Sequence, residues 1–285
     1  MNSTITLNNG VEMPRIGYGV YQIDPSDTSH FVQEALSVGY RAIDTAQVYR
    51  NEEGVGDGWK ASGISRTELF LTTKIWVSNA GYVRATKAID ESLRKLQTDY
   101  IDLLLIHRAY GDYYGTYRAM EDALRAGKVR AIGVSNFYYD RFPDLADNVD
   151  IVPAMNQIET SVFCQQKDNR AICARYNTTV TAWAPLAQGK NNIFANPLLM
   201  QIAENHGKTP AQVALRFLTQ QNIVIIPKST NRERMMENLA SLVFDLTEEE
   251  MKQLELLDLG HGLIDPYHDF EALVIAQQKE QHLII

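Results

Sequence analysis

Cysteine is scarce in this sequence, with only Cys164 and Cys173 among 285 residues. The two lie nine positions apart, in a segment that we expect to be helical, and their spacing fits neither a metal site nor a disulfide framework. Proteins of a reducing compartment seldom contain structural disulfides. We therefore expect a cytoplasmic protein with both thiols reduced.

Long apolar runs and an excess of positive charge are also missing. No stretch approaches the ~20 apolar residues that cross a membrane, and the amino-terminal residues 1–6 have neither the basic nor the apolar region of a signal peptide. The formal net charge is −8, in a chain with 45% hydrophobic and 22% charged residues. This negative balance argues against nucleic-acid or anionic-membrane partners.

Two functional signatures are absent as well. Gly17-Tyr18-Gly19 is followed by Val20-Tyr21-Gln22, so the third glycine of a GxGxxG fingerprint is missing. Its absence disfavours a doubly wound nucleotide-binding sheet, which is the main alternative fold. The six histidines form no HxH or HExxH pair, so a metal hydrolase is disfavoured and no metal site is predicted.

Apolar strands alternate with amphipathic segments along most of the chain. The strands lack a period-2 alternation, as expected when both faces of a parallel sheet are buried. Eight such units in about 260 residues predict an α/β fold of the (β/α)8 barrel type, in a single domain over residues 1–285. The strands centre near Ile16, Ile43, Leu71, Leu104, Ile132, Met155, Thr181 and Ile225, and the clearest helices cover Ser29–Val38, Val83–Leu96, Thr116–Ala126, Pro197–His206 and Pro210–Gln220.

The repeat is flanked by two additional segments. Asn8-Asn9-Gly10 predicts a hairpin over residues 5–12, which would cap the barrel. After about Leu259 the repeat stops. We expect the remaining tail, Gly260–Ile285, to contain a possible helix over Phe270–Gln281 and to fold over the barrel mouth.

Three successive predicted strands end on a titratable residue. The strand through Ala42-Ile43 ends at Asp44, the next ends at Lys74, and the third ends at His107. A buried acid needs a nearby cation, and the strand ends of a barrel are neighbours on one rim, where barrel enzymes carry their chemistry. Lys74 would therefore pair with Asp44.

Tyr49 lies five residues beyond Asp44. An ammonium beside it would favour the phenolate and lower its pKa from ~10, so Tyr49 could protonate a carbonyl oxygen near neutral pH, with His107 orienting that carbonyl. These groups predict carbonyl reduction. The aromatic residues Tyr21, Trp76 and Tyr110 are candidates to line the substrate pocket, although ordinary loop packing is an alternative for Tyr110.

A hydride donor is suggested by residues 225–238, which form the last predicted strand, its loop and the start of a helix. Barrels often bind phosphate at this position, at a helix N-terminus. Lys228, Ser229 and Arg234 would supply cations and a hydroxyl there. Capping of the helix is the alternative role for Ser229 and Arg234.

With these motifs in place, the sequence resembles the aldo-keto reductase superfamily over nearly its whole length, and among its members the bacterial 2,5-diketogluconate reductases. The resemblance rests on residues 39–46 with Tyr49, Lys74 and His107, on Gly133–Phe137, on Asn156-Gln157, and on residues 226–229 with Arg234 and Asn238. It implies that the chain reduces aldehydes or ketones with NADPH, that Tyr49 is the proton donor tuned by Lys74 and Asp44, and that the protein is a monomer.

The resemblance also implies a cofactor site. Ser135, Asn136 and Gln157 would hold the nicotinamide amide, and Trp183 would stack on its ring. The pyrophosphate and ribose would lie along Gly19, Val20 and Leu186. The 2′-phosphate and adenine end would contact Lys228, Ser229, Thr230, Arg234, Glu237 and Asn238.

Some alternatives stay open from the sequence. His107 is followed by Arg108-Ala109, where the family commonly has Trp-Pro, so the substrate class is not fixed among small aldehydes, dicarbonyls, sugars and keto acids. Glu233 and Glu237 lie near the phosphate site, which leaves a dual preference for NADPH and NADH possible. Lys74 could instead form the Schiff base of an aldolase, and a non-catalytic nucleotide sensor would keep the cofactor site.

Overall fold

Eight parallel strands form a closed barrel in the computed structural model, which describes residues 3–264. The strands pair in sequence order through the whole sheet, and a parallel bridge between Ile16 and Ile225 joins the first strand region to the last. The predicted (β/α)8 barrel is thereby confirmed. The barrel strands are β3 (Tyr18–Gly19), β4 (Ala42–Asp44), β5 (Phe70–Ile75), β6 (Ile101–Ile106), β7 (Val129–Ser135), β8 (Met155–Glu159), β9 (Thr179–Trp183) and β10 (Val224–Ile225).

The predicted hairpin is also confirmed. Strands β1 (Thr4–Thr6) and β2 (Glu12–Pro14) pair antiparallel, and Gly10 supplies the positive φ of 84° that their turn requires. Leu7 and Met13 are buried and belong to the cluster that fills the barrel interior. The hairpin therefore closes the barrel at the amino-terminal ends of its strands.

Ten α-helices surround the barrel within the described residues. The first begins at Pro25, four residues before the predicted start, because the Asp24 side chain accepts a hydrogen bond from Ser26 N and proline is favoured in the first turn. The helices are α1 (Pro25–Val38), α2 (Glu52–Ala61), α3 (Tyr82–Leu96), α4 (Tyr113–Arg125), α5 (Arg141–Ala146), α6 (Lys167–Arg175), α7 (Pro197–His206), α8 (Pro210–Gln220), α9 (Arg232–Leu239) and α10 (Glu248–Glu255).

The structure corrects the expectation for the cysteines and leaves the one for the carboxyl-terminal tail untested. Cys164 and Cys173 are both buried, but only Cys173 lies in a helix, α6. Cys164 lies in a tight bridge with Ser161, so the expectation of one helix carrying both was wrong. No helix in the described part of the chain is long and apolar enough to cross a membrane. The tail from Asp265 onward, with its expected helix, lies outside the described residues.

Candidate active site

Along each barrel strand, every second side chain points into the barrel, because strand residues alternate between two faces. Ala42, Phe70, Leu105, Ala131 and Met155 belong to the apolar cluster inside the barrel. On each strand, the residues two and four positions further along the chain also face the interior and form the next layers toward the carboxyl end. Their upper members are the polar residues Asp44, Lys74, His107, Ser135, Gln157 and Glu159, with Trp183 following the same alternation on β9.

Asp44 and Lys74 form a buried ion pair, as the sequence predicted. Lys74 Nζ lies 2.5 Å from Asp44 Oδ1 and also donates to the Thr45 carbonyl at 3.0 Å. The second carboxylate oxygen of Asp44 accepts from Gln157 Nε2 at 2.7 Å. Burial alone would lower the pKa of Lys74, but the charge of Asp44 and the neighbouring Tyr49 outweigh it and the pKa is raised. Lys74 is therefore a permanent ammonium at neutral pH.

Tyr49 is brought to this pair by a short 3₁₀ helix, Gln47–Tyr49, that follows β4. Its hydroxyl lies 3.5 Å from Lys74 Nζ. Burial is the largest influence on the phenol and raises its pKa above the ordinary value, although Lys74 acts in the opposite direction. The expected lowering of this pKa was wrong for the structure as it stands, and Tyr49 is a protonated phenol at neutral pH.

His107 completes the group at the end of β6. Its ring packs edge-on against Tyr49, with centroids 5.7 Å apart, and against Trp76 at 5.0 Å. Burial lowers its pKa well below the ordinary value, and the charges of Lys74 and Arg108 act in the same direction. Its Nδ1 is enclosed without a hydrogen-bond partner among the described residues. His107 is therefore a neutral imidazole at the base of the cavity.

A second polar cluster lies across the barrel from Tyr49. Ser135 Oγ donates to the Gln157 carbonyl at 2.8 Å. Asn136, which has a left-handed backbone with φ 61°, donates to Ser135 Oγ and to the His107 carbonyl. Trp183 Nε1 donates to Asn136 Oδ1 at 2.8 Å. The backbone of His107 is thus tied to the residues predicted to hold a nicotinamide.

A cavity of about 1320 Å³ opens above these groups. It is lined by three of the four predicted catalytic residues, Asp44, Tyr49 and His107, by Tyr21 and Trp76, and by several of the predicted cofactor residues, namely Gly19, Ser135, Asn136, Gln157, Trp183, Leu186 and Lys228. The lining does not include Tyr110. Gly19 allows the close approach of β3 to the last strand, since a Cβ there would lie 2.9 Å from the Ile226 carbonyl oxygen.

The remaining predicted cofactor residues lie beside or behind this cavity. Val20 is fully buried. Ser229 Oγ exchanges hydrogen bonds with the Asn231 backbone, and Glu237 accepts from Thr209 Oγ1 at 2.5 Å. Thr230 and Arg234 are exposed, while Asn238 is buried and contacts the Tyr40 hydroxyl.

Lys228 and Arg234 are both exposed, and neither side chain has a hydrogen bond or ion pair with another residue in the range 3–264. Asn231 caps α9 by accepting from Arg234 N. Two cations and the amino end of a helix are therefore available together next to the cavity.

Two polar residues near the site escaped the sequence analysis. Glu159 is buried at the end of β8, and its carboxylate accepts from the backbone N–H groups of Leu263 and Ile264. The argument that singled out Asp44, an acid ending an apolar strand, applies equally to Glu159. Gln47 makes four hydrogen bonds, and its sequence context gave no signal of them.

Comparison with known proteins agrees with this geometry. The sequence matches the family described as "Aldo/keto reductase family" over residues 10–258. The glyoxal reductase of Bacillus subtilis is 43% identical over 260 residues, covering 90% of this chain and 94% of that protein. The methylglyoxal reductase DkgA of Escherichia coli is 38% identical over 264 residues, covering 92% and 95%.

Solved structures give the same result. An aldo-keto reductase named MGS-M4, from a deep-sea metagenome library of the Medee basin, superposes with a TM-score of 0.89 at 41% identity, covering 92% of this chain and 97% of that one. A variant of Gox0644 in complex with NADPH superposes with a TM-score of 0.88 at 36% identity, covering 93% and 97%. By sequence and by structure, this chain belongs to the aldo/keto reductase family and is an oxidoreductase.

Proposed function

We propose that this protein reduces the carbonyl group of small aldehydes or ketones with NADPH, and that Tyr49 donates the proton. The proposal rests on two linked contacts of Lys74 Nζ. It lies 3.5 Å from the Tyr49 hydroxyl and 2.5 Å from Asp44 Oδ1. No other hydroxyl at the cavity has a buried ammonium fixed beside it among the described residues.

This arrangement suits a general acid. A proton donor must hold its proton until the substrate arrives, and the raised pKa of Tyr49 keeps the phenol protonated. Once the proton has moved to the carbonyl oxygen, the phenolate left behind lies against the ammonium of Lys74. That charge stabilises the product of the transfer, because an opposite charge within ~4–6 Å favours an ionised group.

The neutral state of His107 has a role in the same step. A neutral imidazole can donate one hydrogen bond from its protonated ring nitrogen. At the base of the cavity, with its ring fixed between Tyr49 and Trp76, such a donor would orient the substrate oxygen toward the Tyr49 hydroxyl. Trp76 and Tyr21 supply apolar surface that excludes water from the reacting group.

The residues of the cavity fit a nicotinamide cofactor. Gln157 Oε1 accepts no hydrogen bond from any residue in the range 3–264, although Gln157 lines the cavity, so an amide acceptor is available to a carboxamide. Trp183 would offer a flat apolar surface to the ring. Ser135 and Asn136 would exchange their present hydrogen bonds for those of the carboxamide, and the bound nicotinamide would supply the hydride.

We assign the phosphorylated end of the cofactor to the loop after β10. Lys228 and Arg234 are exposed cations there, and the amino end of α9 adds backbone N–H groups. Such a site prefers a 2′-phosphate to a ribose hydroxyl because the phosphate carries close to two negative charges. Glu237 is held by Thr209, which removes it from competition for the ribose.

The substrate class follows from the relatives only in outline. Proteins named for glyoxal and methylglyoxal reduction are among the relatives, so small dicarbonyls are the first substrates to test. An aldolase mechanism is less well supported. A Schiff base requires a neutral lysine, whereas Lys74 is buried, paired and held as an ammonium.

The test is a comparison of Tyr49→Phe with the wild-type chain. Turnover of glyoxal, methylglyoxal and aromatic aldehydes is followed by loss of NADPH absorbance, and NADPH binding is followed by fluorescence. Tyr49→Phe should lower kcat by ~10² or more and leave NADPH binding nearly intact. Tyr176→Phe, which removes a hydroxyl bonded to Asp147 outside the cavity, is the control. Near-normal turnover by Tyr49→Phe would refute the assignment.

A further inference from the structure

We infer that Gln47 is a positioning residue for the carbonyl reduction proposed above, on which this inference rests. Its side chain holds the turn that carries Tyr49 and the loop that carries Trp76 in one fixed arrangement. It thereby sets the distance at which a substrate carbonyl meets the Tyr49 hydroxyl.

The amide of Gln47 uses its full hydrogen-bonding capacity. Its oxygen, Oε1, accepts from the backbone N–H of Trp76 at 3.0 Å and from Asn79 Nδ2 at 2.9 Å. Its nitrogen, Nε2, donates to the Ala88 carbonyl at 3.2 Å and to Ser92 Oγ at 3.1 Å. One oxygen with two lone pairs and one NH₂ with two hydrogens can make four such bonds, so this side chain joins three segments of the chain.

Those segments are the ones that frame the reacting position. Gln47 begins the 3₁₀ helix whose last residue is Tyr49. Its oxygen holds the start of the loop after β5, where Trp76 packs against the ring of His107, and Tyr49 packs against that same ring. The Gln47 side chain therefore links the two aromatic residues that flank His107.

The Tyr49 turn has few other constraints at its start. None of its three residues is fully buried, and although the Tyr49 ring packs against the core and against Tyr21 and His107, those contacts hold the end of the turn and not Gln47. Its own backbone contributes two hydrogen bonds, from Tyr49 N to the Ala46 carbonyl and from Arg50 N to the Gln47 carbonyl. Arg50 then leaves the turn with a left-handed φ of 57°, a conformation that other residues must stabilise.

A small displacement of this turn should have a large kinetic effect. A misplacement of ~1 Å of a reacting group lowers a rate by on the order of 10²-fold. The hydrogen bonds of the Gln47 side chain within residues 3–264 go to the loop after β5 and to α3, and none goes to the loop after β10, so the cofactor should bind as before. The expected signature is a loss in kcat without a matching loss in NADPH affinity.

The experiment compares Gln47→Ala, Gln47→Glu and the control Gln220→Ala. Gln220 is a matched control because its amide also joins two backbone groups, accepting from Leu246 N and donating to the Leu246 carbonyl, on the far side of α8. Gln47→Glu keeps both acceptor bonds to the loop after β5 and loses both donor bonds of Nε2, to the Ala88 carbonyl and to Ser92 Oγ. It tests whether the link to Trp76 is the one that matters.

Gln47→Ala should lower kcat by roughly 10- to 100-fold and change the Kd for NADPH by less than about twofold. Gln47→Glu should recover most of kcat, and Gln220→Ala should keep it. Amide hydrogen exchange gives a readout that does not depend on activity: the peptide containing Trp76 N–H should exchange faster in Gln47→Ala and not in Gln220→Ala.

Three results would overturn the inference. They are a Gln47→Ala kcat within twofold of wild type, an equal loss of kcat in Gln47→Ala and Gln220→Ala, or unchanged exchange at Trp76. A wild-type chain that reduced no carbonyl would overturn the proposed function itself and the role of Gln47 with it. Wild-type turnover with an unimpaired Gln47→Ala would overturn the role of Gln47 alone.

Discussion

Replacing Lys74 by methionine would separate the two tasks that this residue performs. Methionine fills a similar volume without a charge, so the packing inside the barrel changes little. What disappears is the ion pair with Asp44 Oδ1 at 2.5 Å, the hydrogen bond to the Thr45 carbonyl at 3.0 Å and the contact with the Tyr49 hydroxyl at 3.5 Å. Among residues 3–264, the Asp44 carboxylate then keeps one hydrogen-bond partner, Gln157 Nε2.

The expected loss of stability follows from burial. The side chains of Lys74 and Asp44 are 1% and 6% exposed, and removing one member of a buried pair costs ~3–5 kcal/mol because the other charge is left uncompensated. With an unfolding entropy of ~2.1 cal/mol/K per residue, a chain of this length should lose about 5–8 °C in Tm. Activity should fall as well, because the Tyr49 phenolate loses the cation that stabilises it.

Two further variants make the test specific. In the double variant Asp44→Asn with Lys74→Met neither charge of this pair remains, so the free energy of unfolding should recover most of the loss while activity stays low. Lys128→Met removes a pair of nearly the same length, 2.6 Å to Asp90, whose side chains are 44% and 56% exposed, and should cost less than about 1 kcal/mol.

The assay is urea unfolding followed by tryptophan fluorescence, in parallel with NADPH turnover. The reasoning would be refuted by a Lys74→Met variant whose free energy of unfolding lies within about 1 kcal/mol of wild type. A double variant no more stable than Lys74→Met would refute it equally.

Three other predictions concern the cofactor, the histidine and the tail. Arg234→Ala should weaken NADPH binding by roughly 10- to 100-fold, since charge-assisted contacts are worth ~1.5–3 kcal/mol, and should leave NADH binding nearly unchanged. The control is Arg232→Ala, which removes a guanidinium engaged with Ser37. An equal loss of affinity for both cofactors would contradict the assignment. The pKa of His107 lies well below that of an unfolded histidine, ~6.5, so the unfolded chain binds a proton that the folded chain does not, and stability should fall as the pH drops below about 6.5. His107→Asn should flatten that loss, and NMR titration should find the His107 ring still neutral where ordinary histidines are protonated. Ending the chain after Ile264, which lines the cavity, should alter the ranking of carbonyl substrates more than the affinity for NADPH; an unchanged ranking would count against a tail over the mouth.

The sequence predicted the barrel and its reacting end well because both depend on simple alternation. An apolar strand that ends on Asp44 or near Lys74 can be recognised in the sequence, and parallel strands bring their carboxyl ends to one rim of the barrel. The pKa of Tyr49 was predicted in the wrong direction, because its neighbours can be guessed from motifs but its desolvation depends on tertiary packing.

Helix α2 was not foreseen for a related reason. It contains Gly54, Gly56 and Gly58, and glycine lowers helix propensity by ~1 kcal/mol per residue relative to alanine. In the fold those glycines are what the helix needs. A Cβ at Gly56 would lie 2.4 Å from the Lys95 carbonyl oxygen, and one at Gly58 would lie 2.7 Å from Val32 Cβ. Propensity is local, whereas this close packing between α1 and α3 is a property of the whole molecule.

The seam where the barrel closes has a consequence for how the protein folds during synthesis. Tyr18 donates to the carbonyl of Ser229, 211 positions further along the chain, and Gly17 N donates to the Ile225 carbonyl at 2.8 Å. Contacts of such sequence separation form slowly, because the loop that they close must first lose its freedom. On the ribosome the first strand has to wait, with one edge unpaired, until the last strand has been translated. Because Gly19 and Lys228 lie on either side of this seam, the cofactor site is completed last, and pulsed hydrogen exchange should find the Gly17 amide among the last to be protected.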